Sequence, residues 1–248
     1  MVDRFFSEPE LAELYGTLSA DRDDLRFYLP MVLSARSVLD VGCGTGELLH
    51  MAWESGHTGR LCGLDPAGAM LAQARRRRPH DVEWVLGDLH DHVWDGEFEL
   101  AVMTGHAFQV LLSDAELRSA LAAVRASLVP GGRFAFETRH PAARAWERWI
   151  PEYEVEFTGP HGDVLRSRYE TEAAPQTDGG LVTFTHTVTG PGGERPRTSR
   201  STLRFLGAQE LSPFLAEAGL TVAEQYGDWD GTPLAGDSPE IITVAVRS

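Results

Sequence analysis

Apolar residues in this chain follow two rhythms. Short apolar runs bounded by Gly, Pro or Asp occur at Ser37–Val41, Arg60–Leu64, Val82–Leu86, Glu97–Met103 and Arg133–Thr138, and each reads as a buried strand. Between them, Glu47–Glu54, Ala67–Arg76 and Asp114–Leu128 have helical spacing and are rich in Ala, Leu and Arg. Two more helical stretches, Glu8 to Leu18 and Arg22 to Leu33, precede the first strand. Strand–helix–strand repetition predicts a doubly wound α/β sheet, in which right-handed crossovers keep the strands parallel.

The pattern changes between residues 150 and 205. Glu154–Thr158, Val164–Ala173, Leu181–Thr189 and Thr198–Phe205 are strand-like, with turns at His161-Gly162-Asp163, Asp178-Gly179-Gly180 and Gly190-Pro191-Gly192-Gly193. This predicts an antiparallel β-meander over 150–205, inserted after the fifth strand where it can act as a lid. A helix over Ala208–Ala218 and strands near Leu220–Gln225 and Glu240–Val246 then close the chain. The expected organisation is one domain over 1–248, with residues 1–35 as an N-terminal helical cap.

A length of 248 residues suits one large domain. The formal charge of −15 repels polyanions, so nucleic acid is not an expected partner. The basic run Arg75-Arg76-Arg77-Arg78 ends a helical segment before Pro79 and reads as a solvated C-terminus favoured by the helix dipole. All 22 basic residues are Arg, and Lys and Asn are both absent, as a GC-rich genome would produce. Cys43 and Cys62 lack metal or disulfide spacing, so no metal site is expected and a reducing compartment fits. The first residues carry no apolar leader, and no apolar run reaches 18 residues. A cytoplasmic protein without membrane contact is expected.

The first strand carries the informative chemistry. Val38-Leu39-Asp40-Val41 runs into Gly42, Gly44 and Gly46 just before a helix, a layout that lets a ligand approach bare backbone at a helix N-terminus. The second strand ends in Asp65, where a carboxylate can accept from a ribose diol. Together they indicate an adenosine-containing ligand. Asp65-Pro66 is also a sound helix cap with proline at N1, and Asp40 either fixes the loop or meets the ligand. A dinucleotide motif needs glycine at position 47, where Glu47 stands and would repel a pyrophosphate.

Further stretches follow in order: Gly87-Asp88-Leu89 after the third strand, and Pro130-Gly131-Gly132 before the fifth. With the glycine loop and Asp65, these make the chain resemble the class I S-adenosylmethionine-dependent methyltransferases over most of its length. The resemblance implies a Rossmann-like seven-stranded sheet with its last strand antiparallel, and S-adenosylmethionine as cofactor. It implies that Asp88 accepts from the adenine amino group, and that Met70 lies over the adenine. It also places Tyr15, Arg22 and Tyr28, in the N-terminal helices, as covers for cofactor or substrate.

In open α/β sheets ligands bind beyond the carboxyl ends of the strands. The acceptor side is therefore expected at Met103–Phe108, which includes Thr104 and His106, at Glu137–His140, and at Asp228-Trp229-Asp230. His106 is the first candidate proton acceptor and His140 the second, since imidazole titrates near neutrality. Arg139 either grips an anionic group on the substrate or pairs with Glu137 or a lid acid. Phe108, Trp146, Trp149 and Trp229 either line an apolar pocket or pack. His186 shares a strand face with Val182, Phe184 and Val188 and reads as a satisfied buried histidine.

Thr104-Gly105-His106-Ala107 is not the [DN]PP[YF] of enzymes that methylate adenine or glutamine amides, and no acidic pair suggests magnesium. The expected activity is methyl transfer to a nitrogen or oxygen of a small metabolite. The alternatives are an NAD(P)-dependent oxidoreductase, or a non-methylating protein on the same fold, either a regulatory subunit or a cyclase.

Overall fold

The computed structural model describes residues 3–18, 22–77, 81–174, 180–190 and 196–248. Three helices come first: α1 (Arg4–Ser7), α2 (Pro9–Leu18) and α3 (Asp23–Ser34). The core then alternates β1 (Ser37–Val41), α4 (Glu47–Glu54), β2 (Arg60–Asp65), α5 (Gly68–Arg77), β3 (Glu83–Leu86), β4 (Phe98–Met103), α6 (Asp114–Ser127) and β5 (Leu128–Arg139). A second sheet follows, made of β6 (Val155–Thr158), β7 (Val164–Ala173), β8 (Gly180–Thr189) and β9 (Arg197–Phe205). The chain ends with α7 (Ala208–Glu217), β10 (Leu220–Tyr226) and β11 (Glu240–Arg247).

The main sheet has the order β10-β11-β5-β4-β1-β2-β3. Its last strand, β11, runs antiparallel to both β5 and β10, and the remaining pairs are parallel. Helices cover both faces because both faces are apolar. Val38, Leu100, Val102, Ala135, Ile242 and Val244 pack against Leu25, Tyr28 and Val32 of α3 and Leu48, Leu49 and Ala52 of α4. On the other face, Leu39, Ala101, Phe134 and Phe136 meet Leu117, Leu121 and Val124 of α6 and Leu211 and Leu215 of α7. Ser113 and Glu116 close a capping box at the start of α6, satisfying backbone donors there.

The second sheet is antiparallel throughout, in the order β6-β7-β8-β9. Its inner face carries Leu165, Ser167, Tyr169, His186 and Val188, and α1 tucks under it. Phe5 packs with Leu165 and Val188, while the Asp3 carboxylate accepts from the Ser199 and Ser201 hydroxyls. His186 is satisfied in this interior: it hydrogen-bonds the Ser167 hydroxyl at 2.8 Å and stacks on Tyr169 with centroids 4.2 Å apart. Burial lowers its pKa to about 4.

Two boundaries differ from expectation. The helix at Arg4–Ser7 lies before the first expected one, held by Asp3 accepting from the Phe5 N–H and by its docking to the second sheet. β5 begins at Leu128 instead of Arg133, because its ladder with β4 is irregular between Phe98 and Leu100 and absorbs the Pro-Gly-Gly turn. Arg78, Pro79, the turn residues Asp178-Gly179 and Pro191-Gly192-Gly193, and the first two residues of the expected leader-free start lie outside the described residues. Among the described residues, no helix is long and apolar enough to cross a membrane.

Candidate active site

Strand alternation gathers the site. Val38, Val102, Ala135 and Ile242 face α3, so residues two further toward the carboxyl edge face the same way. These are Asp40 on β1, Thr104 after β4 and Glu137, then Arg139, on β5; antiparallel β11 brings Glu240 opposite Arg139. Asp65 on β2 belongs to the same face, because Asp40 pairs with Gly63.

The glycine loop leaves β1 through Gly42, Gly44 and Gly46, all with positive φ (73°, 56° and 71°). A Cβ on Gly44 would stand 3.3 Å from Met70 Cε and 3.9 Å from the Tyr15 ring, so these two side chains crowd the bare backbone. Asp65 ties the loop down: one oxygen accepts from the Gly44 N–H at 2.8 Å, the other from the Ala67 N–H at 2.7 Å. The helix-capping reading is corrected, since α5 starts at Gly68 and not at Pro66: Asp65 braces the turn before the helix, and each oxygen keeps a lone pair for another donor. Asp40 is 1% exposed and its Oδ1 has no hydrogen-bond partner among the described residues. Burial pushes its pKa up to about 7, with Arg22 opposing. An orphaned carboxyl oxygen beside bare, positive-φ backbone fits a positively charged adenosine ligand.

Two features of this loop correct the sequence reading. Gly46 is needed partly by the protein itself, since the Trp84 ring occupies the place of its absent Cβ. Glu47 pairs with Arg77 at the end of α5, so much of its charge is offset and its repulsion of a pyrophosphate is weaker than expected. Nearby, the Gly87 N–H donates to the Asp65 carbonyl at 3.1 Å, joining the ends of β2 and β3. Asp88 is exposed and caps a turn by accepting from the His90 N–H at 2.7 Å, while Leu89 is half-buried against the core and Pro66 is exposed.

His106 is fixed at both ends. It adopts a left-handed backbone (φ 61°), unusual outside glycine, and its N–H donates to Glu137 Oε1 at 2.6 Å. The other Glu137 oxygen accepts from the Tyr28 hydroxyl at 2.6 Å, and both residues are fully buried. Burial raises the Glu137 pKa and drives that of His106 down to about 3, with Arg139 adding to the fall. The His106 Nε2 lies 3.0 and 3.1 Å from the two oxygens of Glu240, whose pKa burial pushes up to about 7.

Arg139 does not hydrogen-bond Glu137. Its Nη1 donates to Gln109 Oε1 at 3.0 Å, and the guanidinium lies 5.5 Å from the Trp149 centroid. Arg22 forks onto Asp24 close to Gly105. His140 sits at the neck of the second sheet, where its Nδ1 accepts from the Ala142 N–H at 3.0 Å and its own N–H donates to the Pro239 carbonyl. Of the four aromatics, Trp229 stands beside His106 (6.4 Å) and Trp149 beside Arg139, whereas Phe108 stacks on Phe136 and Trp146 is buried against Phe205.

Sequence reasoning missed Glu240, Asp24, Gln109 and Tyr169. Glu240 opens a terminal strand, and only the placement of β11 beside β5 brings it to His106. Tyr169 feels the charge of Arg139 from the inner face of the second sheet. The period-two pattern of β7 places Tyr169 on the face of Leu165, but it does not reveal what that face covers.

A family profile described as a methyltransferase domain matches residues 38–132, which span the glycine loop to the Pro-Gly-Gly turn. The chain is 28% identical over 231 residues to a cypemycin N-terminal methyltransferase from Streptomyces sp, covering 87% of this chain and 84% of that protein. It is 33% identical over 165 residues to a 2-phytyl-1,4-naphtoquinone methyltransferase from Thermosynechococcus vestitus, covering 60% and 71% respectively. Among solved structures, an amino pentose methyltransferase from Micromonospora echinaspora with SAM bound superposes with a TM-score of 0.66 at 26% identity, covering 91% of both chains.

Proposed function

This chain belongs to the class I S-adenosylmethionine-dependent methyltransferases, and from that premise we propose that it methylates the amino nitrogen of a small molecule in the cytoplasm. The observation that carries the reading is charge. Asp24, Asp40, Asp65, Glu137 and Glu240 converge on one edge of the sheet against the guanidinium groups of Arg22 and Arg139. A buried excess of carboxyl groups favours cations, and both the sulfonium cofactor and a protonated amine are cations. A relative described as an N-terminal methyltransferase and one described as an amino pentose methyltransferase support the same acceptor chemistry.

In this reading Gly42, Gly44 and Gly46 would hold the cofactor, with Asp65 available to its ribose and Asp40 to offset its positive charge. Tyr15 and Met70 flank it, Pro66 and Gly87-Asp88-Leu89 surround the adenine end, and Tyr28 and Thr104 shape the floor. Bound there, S-adenosylmethionine supplies an electrophilic methyl group on a sulfur that leaves as a neutral thioether. The chain's own work is then to orient the acceptor, exclude water and take a proton. His106 takes the proton and Arg139, braced by Gln109, orients the acceptor. His140, whose Nδ1 caps a turn, shapes the neck. Residues 150–205 act as the lid and residues 1–35 as the cap.

The test is incubation with methyl-labelled S-adenosylmethionine and a panel of amino sugars, short peptides with free N-termini, and phenols. Label in amine products is the expected result. Label confined to phenols, RNA or protein would overturn the reading, as would thermal stabilisation by NAD(P) without any by S-adenosylhomocysteine.

A further inference from the structure

The pairing of His106 with Glu240 is more specific than the charge of the site. One imidazole nitrogen faces both oxygens of a carboxylate whose side chain is only 12% exposed. The other, Nδ1, has no hydrogen-bond partner among the described residues. Four constraints hold the ring in place: the left-handed backbone, the His106 N–H to Glu137 bond, the edge of Trp229, and Glu240 itself. Glu240 is positioned in turn by the β5–β11 ladder, opposite Arg139, and by its N–H donating to the Gly227 carbonyl at 3.0 Å.

We propose that Glu240 is a positioning residue acting through His106: its carboxylate holds the proton on Nε2, so that the Nδ1 lone pair takes the proton of an ammonium acceptor. This rests on the amine-methylation reading above. The step balances simply. Nδ1 accepts H⁺ from R–NH₃⁺, giving R–NH₂ and an imidazolium paired with carboxylate. The freed nitrogen lone pair then forms the N–C bond as the C–S bond breaks, its electrons going to sulfur. The product leaves as R–NH₂CH₃⁺, and the one proton released per turnover departs from the His106–Glu240 pair to solvent.

The carboxylate is needed because of the burial. Burial and Arg139 lower the imidazole pKa to about 3, so as a single group it is too weak a base to deprotonate an ammonium group. The adjacent Glu240 carboxyl, pushed up to about 7, supplies the proton affinity near neutrality, and the two groups titrate as a unit. The remaining charges facing the pair are Glu137 and Asp24, which favour the imidazolium, and Arg139 and Arg22, which oppose it. Asp228 lies toward Glu240 and raises the proton affinity of that carboxyl.

The experiment follows His106 by imidazole ¹⁵N NMR in the full chain bound to S-adenosylhomocysteine, between pH 5 and 9. Wild type should show a protonation step near pH 7, whereas Glu240→Gln should show none in that range. S-adenosylhomocysteine affinity should stay within about twofold, confirming an intact fold. No step in wild type, or the same step in both proteins, would overturn the proposal whatever the acceptor proves to be. Once an amine acceptor is in hand, Glu240→Gln should lower kcat at pH 7.5 by about 10- to 100-fold, within the range expected for a lost base. KM should change little, and the rate should recover toward wild type near pH 9.5, where the free amine needs no base. A defect equally deep at pH 9.5 would also refute it. Failure to methylate any amine with the NMR step intact would defeat the amine reading and leave the pairing standing.

Discussion

Replacing Asp40 with Asn should remove a pH dependence from cofactor binding. In the free protein burial pushes the Asp40 pKa up to about 7, so the carboxyl is mostly protonated below that pH. A cationic ligand prefers the ionised form, so binding expels a proton and affinity rises with pH. If the bound form is fully ionised, the apparent Kd scales as one plus ten raised to (pKa − pH). Between pH 7.5 and pH 5.5 this gives about 25-fold weaker binding, about 1.9 kcal/mol. Calorimetric titration of S-adenosylmethionine at pH 5.5, 6.5 and 7.5, in buffers of different ionisation enthalpy, measures both the affinity and the protons released. Wild type should release about one proton at pH 5.5 and much less at pH 7.5. Asp40→Asn should bind with little pH dependence. A flat wild-type profile, or a slope that survives in Asp40→Asn, would refute the assignment of that buried oxygen to the cofactor.

Three further outcomes are expected. Gly46→Ala forces an L-residue to φ 71° and its methyl into the Trp84 ring, so unfolding in urea should show a loss of about 2–5 kcal/mol; an unchanged midpoint would mean that the ring moves freely. Tyr28→Phe deprives Glu137 Oε2 of its donor inside the core, and the same assay should register about 1–3 kcal/mol. Asp65→Ala should weaken S-adenosylhomocysteine binding by about 1–3 kcal/mol, the scale of lost charge-assisted hydrogen bonds; equal affinity would leave Asp65 as an anchor for the Gly44 and Ala67 backbone only.

The fold and the cofactor loop were legible because local signals determine them. Apolar runs of strand length, helical spacing between them, and glycines before α4 are all written within short windows. The second sheet could be read for the same reason, from period-two strands and their turns. The docking of α1 was not, because it depends on Asp3 reaching hydroxyls almost two hundred residues away. The acceptor side was only half legible. His106 stood out as a histidine beyond a strand end, but what makes it chemically distinct comes from Glu137 on β5 and Glu240 on β11. Their meeting requires the antiparallel final strand to insert between β5 and β10, which no local pattern specifies. Glu47 shows the opposite failure: its local meaning was clear, and Arg77, thirty residues away, changed it.

The buried carboxyl groups also bear on how two cations can meet. A sulfonium and an ammonium brought to reacting distance repel one another strongly in a low-dielectric interior. The amine must in any case lose its proton before its lone pair can attack. Before ligands arrive, burial keeps Asp40 and Glu240 partly protonated, which limits the cost of holding so many acids together. In the proposed reading Asp40 would ionise to offset the cofactor's charge, and the pair formed by His106 and Glu240 would take the acceptor's proton. Each positive charge would then meet its own carboxylate, since Asp40 on β1 and Glu240 on β11 have β4 and β5 between them. That separation would let the cofactor remain charged while the acceptor becomes neutral, the combination that the proposed transfer to nitrogen requires.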